Sequence, residues 1–482
     1  MRTIGTPSTQ ARKLNAIASG ALPNGKSVIV NADGTVSVVD GVVGGLGSEA
    51  VIANVNSSEI TATYDTNSNK VVVAYRDTTN NVGKAAVGTV SGTSISFGSV
   101  VQFSGGAVEH VNATFDSTNN KVVIVYQDDD NANYGTAVVG TVSGTSISFG
   151  TPVVFESAAS IDTTAAFDST NGKVVISYCD FNNSQAGTAI VGTVSGTSIS
   201  FGSPTVYATT ILYGGDHSSI VYDPTSGKVV VVYGDSSNSN YATANVGTVS
   251  GTSISFGSAT AFDTTGSATW FGITYDSNAE KVVVGYSATS STKGGCAVGT
   301  VSGTSISFGS PVYFESAGTN LVDCAYDASN NRIIIIYRQA SNGDKGTYVV
   351  GQVSGTSISF DPKVVFNDAS TGPNACTYDP DSQKVVFAYR DGGNSGYPTS
   401  AIFTVGSTTL TAENYIGLAS NGYPDTAGAT IDVQGAINDR QSGLTAGQAY
   451  YVQADGTLDT TPADPSVFAG TAISANKIIV KG

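Results

Sequence analysis

An all-β fold is predicted for this chain by its composition and by an internal repeat. The 482 residues include 57 glycines but only 13 prolines, and Val, Ile, Thr, Ser and Tyr dominate the apolar runs. Such runs favour strands joined by tight turns over helices. The string VGTVSGTSISFG begins at five positions and returns as VGQVSGTSISFD at Val350, with successive spacings of 52, 52, 55, 52 and 52 residues. The five positions are Val87, Val139, Val191, Val246 and Val298.

A second string shows that the repeat has seven copies. It consists of an aromatic residue, Asp, four turn-like residues, a base and an apolar run that ends in Tyr, as in YDTNSNKVVVAY. Its leading aspartates are Asp65, Asp116, Asp168, Asp223, Asp276, Asp327 and Asp379. Each copy divides at its turns into four extended pieces, here called strands A to D, as in ITATYD, KVVVAYRD, KAAVGTVSG and TSISFGSVVQF. Four antiparallel strands per copy predict a seven-bladed β-propeller over residues 31–407.

The turn residues support four strands in each copy. Between strands A and B, Asp can accept backbone hydrogen bonds at the head of the turn, and Pro224 and Pro380 preset the next φ angle. A Ser-Gly-Thr turn joins strand C to strand D. Strand B runs such as VVVAY are apolar on both faces and suit packing between neighbouring blades, whereas SISFG alternates and suits an outer edge. One blade could not bury its faces alone, so stability must come from stacking and closure.

The two ends of the repeat predict that the ring is closed by an N-terminal strand. The seventh copy supplies strands A, B and C and then stops without strand D. Residues Gly34 to Val55 precede the first strand A as TSISFGSVVQF precedes the second. We therefore expect Thr35 to Val39 to pair beside Ala401 to Val405, which would complete the last blade and remove exposed strand edges.

Two flanking regions lie outside the repeat. Residues 1–30 form an N-terminal arm, a candidate attachment segment, with a short helix predicted at Thr9 to Ala18. Asp33-Gly34, just beyond the arm, is typical of a hairpin turn. Residues 408–482 contain strand-like pieces such as ATIDVQG and KIIVKG and predict a small C-terminal β domain. Because so small a domain gains stability from association, we expect it to serve in oligomerisation.

Charge and hydropathy exclude two classes of partner. The formal charge is −16, and no cluster of Lys and Arg offers a groove for phosphates, so nucleic acid is not an expected partner. No apolar stretch approaches the roughly 18 to 20 residues that span a bilayer, and the N-terminus lacks the apolar core of a secretory signal. We therefore expect a chain made in the cytosol, without membrane insertion.

The four cysteines are expected to be buried free thiols. Cys179, Cys296, Cys324 and Cys376 are far apart in sequence and show no metal-ligand spacing. Three of them replace a small or apolar residue of the repeat, as Cys324 does where another copy has Ala62. A disulfide between Cys324 and Cys376, on adjacent copies, is the alternative.

Recognition is expected on the face that carries the B–C and D–A loops. Those loops differ freely between copies, whereas the A–B and C–D turns are nearly identical, and variable loops on a rigid scaffold carry binding. Exposed aromatic side chains suit sugar faces and protein partners. The candidate binding residues are Tyr134, Phe181, Tyr213, His217, Tyr241, Trp270 and Tyr397. The alternative for each aromatic residue is packing beneath its own loop.

Five aspartates occupy one repeat position at the end of strand B. A ring of carboxylates could hold a cation, with calcium as the candidate ion, but Asp before Asn, Ser or Gly is also the ordinary start of a turn. We expect the structural use and no cofactor, and keep the metal site as the alternative. These aspartates are Asp77, Asp128, Asp180, Asp235 and Asp391.

The sequence contains no recognisable catalytic constellation. Its two histidines, His110 and His217, lie in different copies, without a Ser-His-Asp set, a metal trio or a nucleophile elbow. Glycan cleavage by paired carboxylates is the enzymatic alternative. The inner strands A offer mostly Ala, Thr and apolar residues, with Asp162 and Asp323 as isolated exceptions. The chain is therefore predicted not to be an enzyme, with a glycan-degrading depolymerase as the alternative.

The flanks resemble segments of a known class of protein. LTAENYIGLAS, SGLTAGQAYYVQADGTLDTT and PSVFAGTAISANKIIVKG, with GALPNGKSVIVNADGTVSVV near the N-terminus, are similar to virion structural and tail-fibre-like proteins of tailed bacteriophages, especially marine ones. The likeness covers about 100 residues outside the repeats. The repeats themselves lack the FG-GAP, WD and sialidase Asp-box signatures.

The resemblance implies a location in the virion, as a tail fibre, appendage or capsid decoration protein. It also implies contacts with other virion proteins, with residues 408–482 serving in oligomerisation or virion attachment. A homo-oligomer is implied as well, for which a trimer is the family-based expectation. Combined with the repeat, it predicts a virion structural protein that displays a propeller for attachment to the host cell surface or to a glycan.

Overall fold

The computed structural model describes residues 12–39, 41–42, 44–213, 218–288, 292–408, 410–453, 456–463 and 465–481. Within these ranges the chain is all-β, as predicted, and its sheets are antiparallel. Five short 3-10 helices follow strand B, and the described residues contain no α-helix. The 3-10 helices are Asp129–Asn131, Phe181–Asn183, Ser236–Asn238, Ala340–Asn342 and Gly392–Asn394. No helix in the described ranges is long and apolar enough to cross a bilayer.

The chain divides into two compact units. One unit is Leu46–Phe403, which contains the seven repeat copies, and the other combines the described residues within 1–45 and 404–482. The first unit is called the repeat unit below, and the second is called the terminal unit.

Each of the first six repeat copies forms an antiparallel sheet in the order A-B-C-D, and the seventh supplies strands A, B and C. Strand A is Ser57–Asp65, Val108–Asp116, Val153–Asp168, Ser218–Asp223, Thr269–Asp276, Thr319–Asp327 and Val364–Asp379. Strand B is Lys70–Asp77, Lys121–Asp128, Lys173–Asp180, Lys228–Asp235, Lys281–Ala288, Arg332–Gln339 and Lys384–Asp391. Strand C is Val82–Ser91, Tyr134–Ser143, Ala186–Ser195, Tyr241–Ser250, Lys293–Ser302, Lys345–Ser354 and Tyr397–Thr404.

Strand D is followed by a fifth strand that the sequence did not separate. Strand D is Ser94–Phe97, Ser146–Phe149, Ser198–Phe201, Ser253–Phe256, Ser305–Phe308 and Ser357–Phe360. The fifth strand pairs again with strand C and is Val101–Gln102, Thr205–Ala208, Thr260–Asp263 and Val312–Glu315. In the second and sixth copies it is continuous with the next strand A, which gives that strand its 16 residues.

The repeat copies pack through strand B and through aromatic contacts between neighbours. The tyrosine near the end of strand B is fully buried in every copy, because the apolar run before it has sheets on both faces. An aromatic ring of the preceding copy packs on it, as Phe103 does on Tyr126 at 5.4 Å between ring centroids. Phe314 and Tyr337 repeat the contact at 5.2 Å. Such pairs add roughly 0.5–1.5 kcal/mol beyond their buried area.

A glycine after strand D sets the close approach of neighbouring sheets. Gly257 donates its N–H to the carbonyl of Val246, and a β-carbon on it would lie 1.9 Å from the backbone oxygen of Thr304 in the next copy. The same contact recurs at the other copies, so an added methyl group would push two sheets apart. The equivalent glycines are Gly47, Gly98, Gly150, Gly202 and Gly309.

The last strand C is paired by an N-terminal segment, but not by the expected one. After the short strand Gly45–Leu46, strand Ala50–Val51 lies antiparallel to Tyr397–Thr404, with Val51 opposite Thr399. The prediction that Thr35–Val39 pairs there is wrong. Val36–Val38 instead forms a hairpin with Ser27–Val30, because Val28 and Val36 are buried with Ala419 and Ile431 of the terminal unit.

The first and last repeat copies share a hydrophobic cluster. Ile52 packs with Val71 and Tyr75 of the first copy and with Val386 and Ile402 of the last. Each strand A contacts the strand A of the next copy along the chain, and strand A of the seventh copy contacts that of the first.

The terminal unit consists of three sheets. The first has the order Lys13–Ile17, Gly428–Asp432, Tyr415–Ala419, Ser27–Val30 and Val36–Val38. The second pairs Gly41–Val42 with Ser407–Thr408. The third has the order Ile437–Asn438, Lys477–Val480, Val467–Ser474, Ala449–Val452 and Leu458–Asp459.

Two predictions for the N-terminal flank have different outcomes. Lys13–Ile17 is a strand paired with Gly428–Asp432, so the helix predicted at Thr9–Ala18 is wrong over its described residues. Pairing partners that lie more than 400 residues away override the local helical tendency there. The hairpin turn at Gly34 is confirmed, with the N–H of Asn31 bonded to the carbonyl of Thr35.

The cysteine prediction is confirmed. All four cysteines are free and buried. Burial in apolar surroundings raises the pKa of the Cys296 thiol and keeps it in the neutral form.

Candidate functional site

Strand A carries a β-bulge at the same place in most copies. In the first copy Ser58 pairs with Arg76 and Thr61 pairs with Ala74, so two residues of strand A, beginning at Glu59, face one residue of strand B. The first bulge residue has a left-handed backbone in five copies. These residues and their φ angles are Glu59 53°, His110 51°, Asp162 53°, Trp270 53° and Leu321 52°.

The bulge position is one of the most variable positions of an otherwise monotonous repeat, together with the residues immediately before and after it. Counted as six residues before the aspartate of the A–B turn, it holds Glu59, His110, Asp162, His217, Trp270, Leu321 and Pro373. Both histidines and the single tryptophan of the chain therefore occupy this position. A bulge re-aims its side chain, and bulges are frequent beside functional sites.

In five copies the residue at this position lines one cavity of about 600 Å³, here called the bulge cavity; these residues are Glu59, His110, Trp270, Leu321 and Pro373. Small-ligand sites span roughly 300–1,000 Å³. Its wall combines apolar and polar side chains from all seven copies. The lining residues are Glu59, Ile60, Glu109, His110, Val111, Gln127, Asn133, Ala159, Ile161, Phe181, Tyr213, Trp270, Leu321, Pro373 and Asn374.

A smaller chamber of about 100 Å³, here called the inner chamber, lies farther along strands A. Asn374 lines both spaces. Its amide nitrogen and oxygen are buried, and no group of the described residues hydrogen-bonds to either atom. A buried amide without partners costs roughly 1–3 kcal/mol. The amide therefore lies in the wall shared by the bulge cavity and the inner chamber, with hydrogen-bonding capacity that the described residues leave unused.

Hydrogen bonds and ion pairs between copies fix the polar side of the bulge cavity. Glu59 accepts a 2.9 Å hydrogen bond from the backbone N–H of His110. The His110 Nδ1 atom lies 3.3 Å from Asp162 Oδ1. Arg76 is 2.8 Å from Glu109. Each contact joins one copy to the next, so the polar groups are held in fixed positions.

Burial perturbs two of the acids around these spaces. Desolvation raises the pKa of Glu59, and the neighbouring His110 opposes that shift. Desolvation also raises the pKa of Asp323 to about 6, although its carboxylate accepts 2.8 Å hydrogen bonds from the backbone N–H groups of Cys324 and Cys376. Asp323 lines the inner chamber.

The structure brings together three of the predicted binding residues and separates three others. Phe181, Tyr213 and Trp270 line the bulge cavity. Phe181 and Tyr213 are exposed and meet edge to face, with ring centroids 5.3 Å apart. Tyr134, Tyr241 and Tyr397 instead begin strand C, opposite the aspartate that ends strand B. His217 lies outside the described residues.

The aspartates at the end of strand B form hydrogen bonds within the loops that follow them. Asp77 accepts the N–H groups of Thr79 and Asn80 and pairs with Lys84 at 2.6 Å. Asp180, Asp235 and Asp391 each accept a backbone N–H of the next 3-10 helix. Asp128 is the exception, since its side chain does not cap the helix that follows. Within the described ranges no group of three or more His, Cys, Asp or Glu side chains is arranged to hold a metal ion.

Sequence reasoning missed Glu59, Leu321 and Asn374 as lining residues. The predicted binding residues were chosen as aromatic residues in exposed loops, whereas Glu59, Leu321 and Asn374 lie within strand A. A signal was nevertheless present, because aligning the seven copies on the turn aspartate reveals the variable position.

No family model and no curated protein matches the chain. It is similar to a variant of AofleA from Arthrobotrys oligospora, with 11% identity over 72% of this chain and 97% of that chain and a TM-score of 0.41. A protein from Lactobacillus plantarum shares 14% identity over 75% and 97% of the chains, with a TM-score of 0.46. The SapL1 lectin, in complex with alpha methyl fucoside, shares 14% identity over 64% and 96%, with a TM-score of 0.41. At these TM-scores the likenesses assign no function.

Proposed function

We propose that the repeat unit is a seven-bladed β-propeller closed by strand Ala50–Val51. The pairing of Ala50 with Ser400 repeats the internal pairing of Val101 with Ala85. Gly47 repeats the close contact of the internal glycines, since a β-carbon on it would lie 1.8 Å from the backbone oxygen of Thr93. The same backbone bonds and close contacts would then operate at all seven joints.

The propeller binds a carbohydrate in the bulge cavity and does not cleave it. One observation carries this proposal: the repeat varies strongly where its side chains line a single cavity. Identical turns and strands suffice for a scaffold, whereas different side chains around a common cavity suit recognition of an asymmetric ligand.

The composition of the wall suits a sugar. Trp270, Phe181 and Tyr213 provide aromatic surface for the C–H face of a pyranose ring. Glu59, His110 and the amide of Asn374 provide acceptors and donors for hydroxyl groups.

We also propose that the chain is a virion structural protein that presents this propeller to the host surface. The support is the resemblance of both flanks to virion structural and tail-fibre-like proteins of tailed bacteriophages. Antibody against the repeat unit should label purified phage particles in immunogold microscopy. Particles that contain the protein by mass spectrometry yet remain unlabelled would contradict display on the surface.

A glycan array with the full chain tests the binding function. Trp270→Gly removes the ring, and glycine adopts the φ of +53° without strain, so the backbone can keep its bulge. We expect wild-type binding to at least one glycan and a loss of tenfold or more in Trp270→Gly, because burying a large apolar side chain contributes roughly 1.5–3 kcal/mol.

Tyr241→Ala is the matched control, since this tyrosine begins strand C and is not a lining residue of the cavity. Circular dichroism and the thermal midpoint verify that both variants are folded. Equal binding by wild type and a folded Trp270→Gly would contradict the site. Release of reducing ends from a bound glycan would contradict binding without cleavage.

A further inference from the structure

The bulge cavity carries negative charge on its polar side. Glu59 and Glu109 are among its described lining residues, and none of those residues is a lysine or arginine. Arg76 neutralises part of this charge through its 2.8 Å contact with Glu109, and it also lies 3.9 Å from Asp129. A carboxylate or sulfate entering the cavity would therefore meet acids without a fixed cation of its own.

The acceptor on Glu59 is held in place before any ligand arrives. Its Oε2 atom accepts the backbone N–H of His110, which fixes the carboxylate and leaves further lone pairs. Glu59 is half-buried, so a hydrogen bond to it forms partly out of water. A charged acceptor of this kind favours hydroxyl and ammonium donors.

The inner end of the cavity also disfavours an acid. The inner chamber is lined by Asp162 and Asp323 together with Asn374. Asn374 offers one donor group and one acceptor, both of which a sugar hydroxyl can satisfy. An acidic substituent that reached past Asn374 would approach two further carboxyl groups.

We infer that the bulge cavity selects non-acidic glycans and rejects uronic, sialic and sulfated sugars. The selected glycans contain neutral or amine-bearing sugars that donate a hydrogen bond to Glu59. This inference rests on the proposed function, because it names the ligand class of the same cavity. It assigns Glu59 as a specificity-determining residue, with Trp270 supplying charge-independent contact.

The experiment compares matched glycans of different charge on the full chain. A glycan array at neutral pH presents neutral, amine-bearing and acidic sugars, and Trp270→Gly identifies the binding that depends on the cavity. Isothermal titration then measures the best ligand and its carboxylated analogue with wild type, Glu59→Gln and Glu280→Gln. Glu280 is the matched control because it has a φ of +54° but lies exposed in an A–B turn.

We expect cavity-dependent binding only to neutral or amine-bearing sugars. Glu59→Gln should weaken it roughly tenfold, since a charged acceptor contributes about that factor over a neutral one, and should narrow the discrimination against the acidic analogue. Glu280→Gln should change neither quantity.

The two possible failures are distinct. Cavity-dependent binding of acidic sugars as tight as that of their neutral analogues would overturn the ligand class while leaving the binding function intact. Wild-type affinity in a folded Glu59→Gln would overturn the role of Glu59. If no glycan on the array showed binding sensitive to Trp270, the binding function itself would fail.

Discussion

At the scale of single residues, left-handed backbone serves two different purposes in the repeat. In the A–B turn it falls on Asn or Gly in five of seven copies, namely Asn69, Asn120, Gly172, Gly227 and Asn331. These residues adopt it with little strain. At the bulge it falls on Glu, His, Asp, Trp and Leu. Each such residue costs of order 1–3 kcal/mol, so the chain gives up stability where it places side chains in the bulge cavity.

The raised pKa of Glu59 predicts a pH dependence of binding. The ionised carboxylate is the better acceptor, so affinity for a neutral glycan should fall as the pH falls through the pKa of Glu59. Because burial raises that pKa, the fall should begin above the pH at which an ordinary glutamate titrates, about 4.3. The charged groups facing Glu59 are His110, Glu109 and Arg76. Titration calorimetry between pH 7.5 and about 4.5 measures the effect.

The Glu59→Gln variant distinguishes the contribution of this carboxylate to the pH dependence of binding from the contribution of its neighbours. The variant should bind more weakly at neutral pH and lose most of the decline at acid pH. An unchanged pH profile in the variant would assign the decline to His110 or Glu109 instead.

At the scale of elements, the aspartate of the A–B turn and the aspartate at the end of strand B differ in burial and in the hydrogen bonds that they accept. Asp168, in an A–B turn, is fully buried and accepts N–H groups from Thr170 and Asn171 and the side-chain amide of Asn171. Asp180, at the end of strand B in the same copy, is partly exposed and accepts the N–H of Asn183 at 3.2 Å.

Replacing each aspartate by alanine should therefore have unequal effects on stability. Asp168→Ala removes three hydrogen bonds to a buried carboxylate and should cost about 2 kcal/mol, whereas Asp180→Ala removes one bond to a partly exposed carboxylate and should cost about 0.5 kcal/mol. Urea unfolding followed by tryptophan fluorescence and circular dichroism measures both. A rise in the midpoint on adding calcium that Asp180→Ala abolished would instead support the cation alternative.

Elements were predicted unevenly from the sequence. Strands A to C and the A–B turns follow from residue patterns that occur in seven copies, and the Ser-Gly-Thr turns follow from a pattern that occurs in six. The fifth strand and the bulge did not follow, because both depend on pairing between strands. Lys13–Ile17 was expected in a helix for the same reason, since its partner, Gly428–Asp432, lies at the far end of the chain.

At the scale of the whole molecule, closure by Ala50–Val51 predicts that the seam is as sensitive to packing as any internal joint. Gly47→Ala and Gly257→Ala would each place a methyl group within 2 Å of a backbone oxygen. Both should lower the free energy of unfolding by roughly 1–3 kcal/mol or more. Gly105→Ala is the control, because nothing lies within 4 Å of its added β-carbon.

Thermal unfolding of the three variants tests the closed ring. If Gly47→Ala behaved like Gly105→Ala while Gly257→Ala was destabilised, the seam would be open in solution. Small-angle scattering on the full chain would then detect the larger radius of an open ring.

The sequence by itself determined the all-β class, the seven copies, the turns and the buried thiols, because each depends on local patterns of polarity and turn chemistry. Tertiary structure alone decided that Ala50–Val51, not Thr35–Val39, pairs with the last strand C. It also decided that in five copies the residue six positions before the turn aspartate lines one common cavity. Both outcomes depend on distances between segments that are far apart in the chain. The two-residue alternation of side chains along a strand indicates which side chains share a face of the sheet, but it does not indicate which copies face each other.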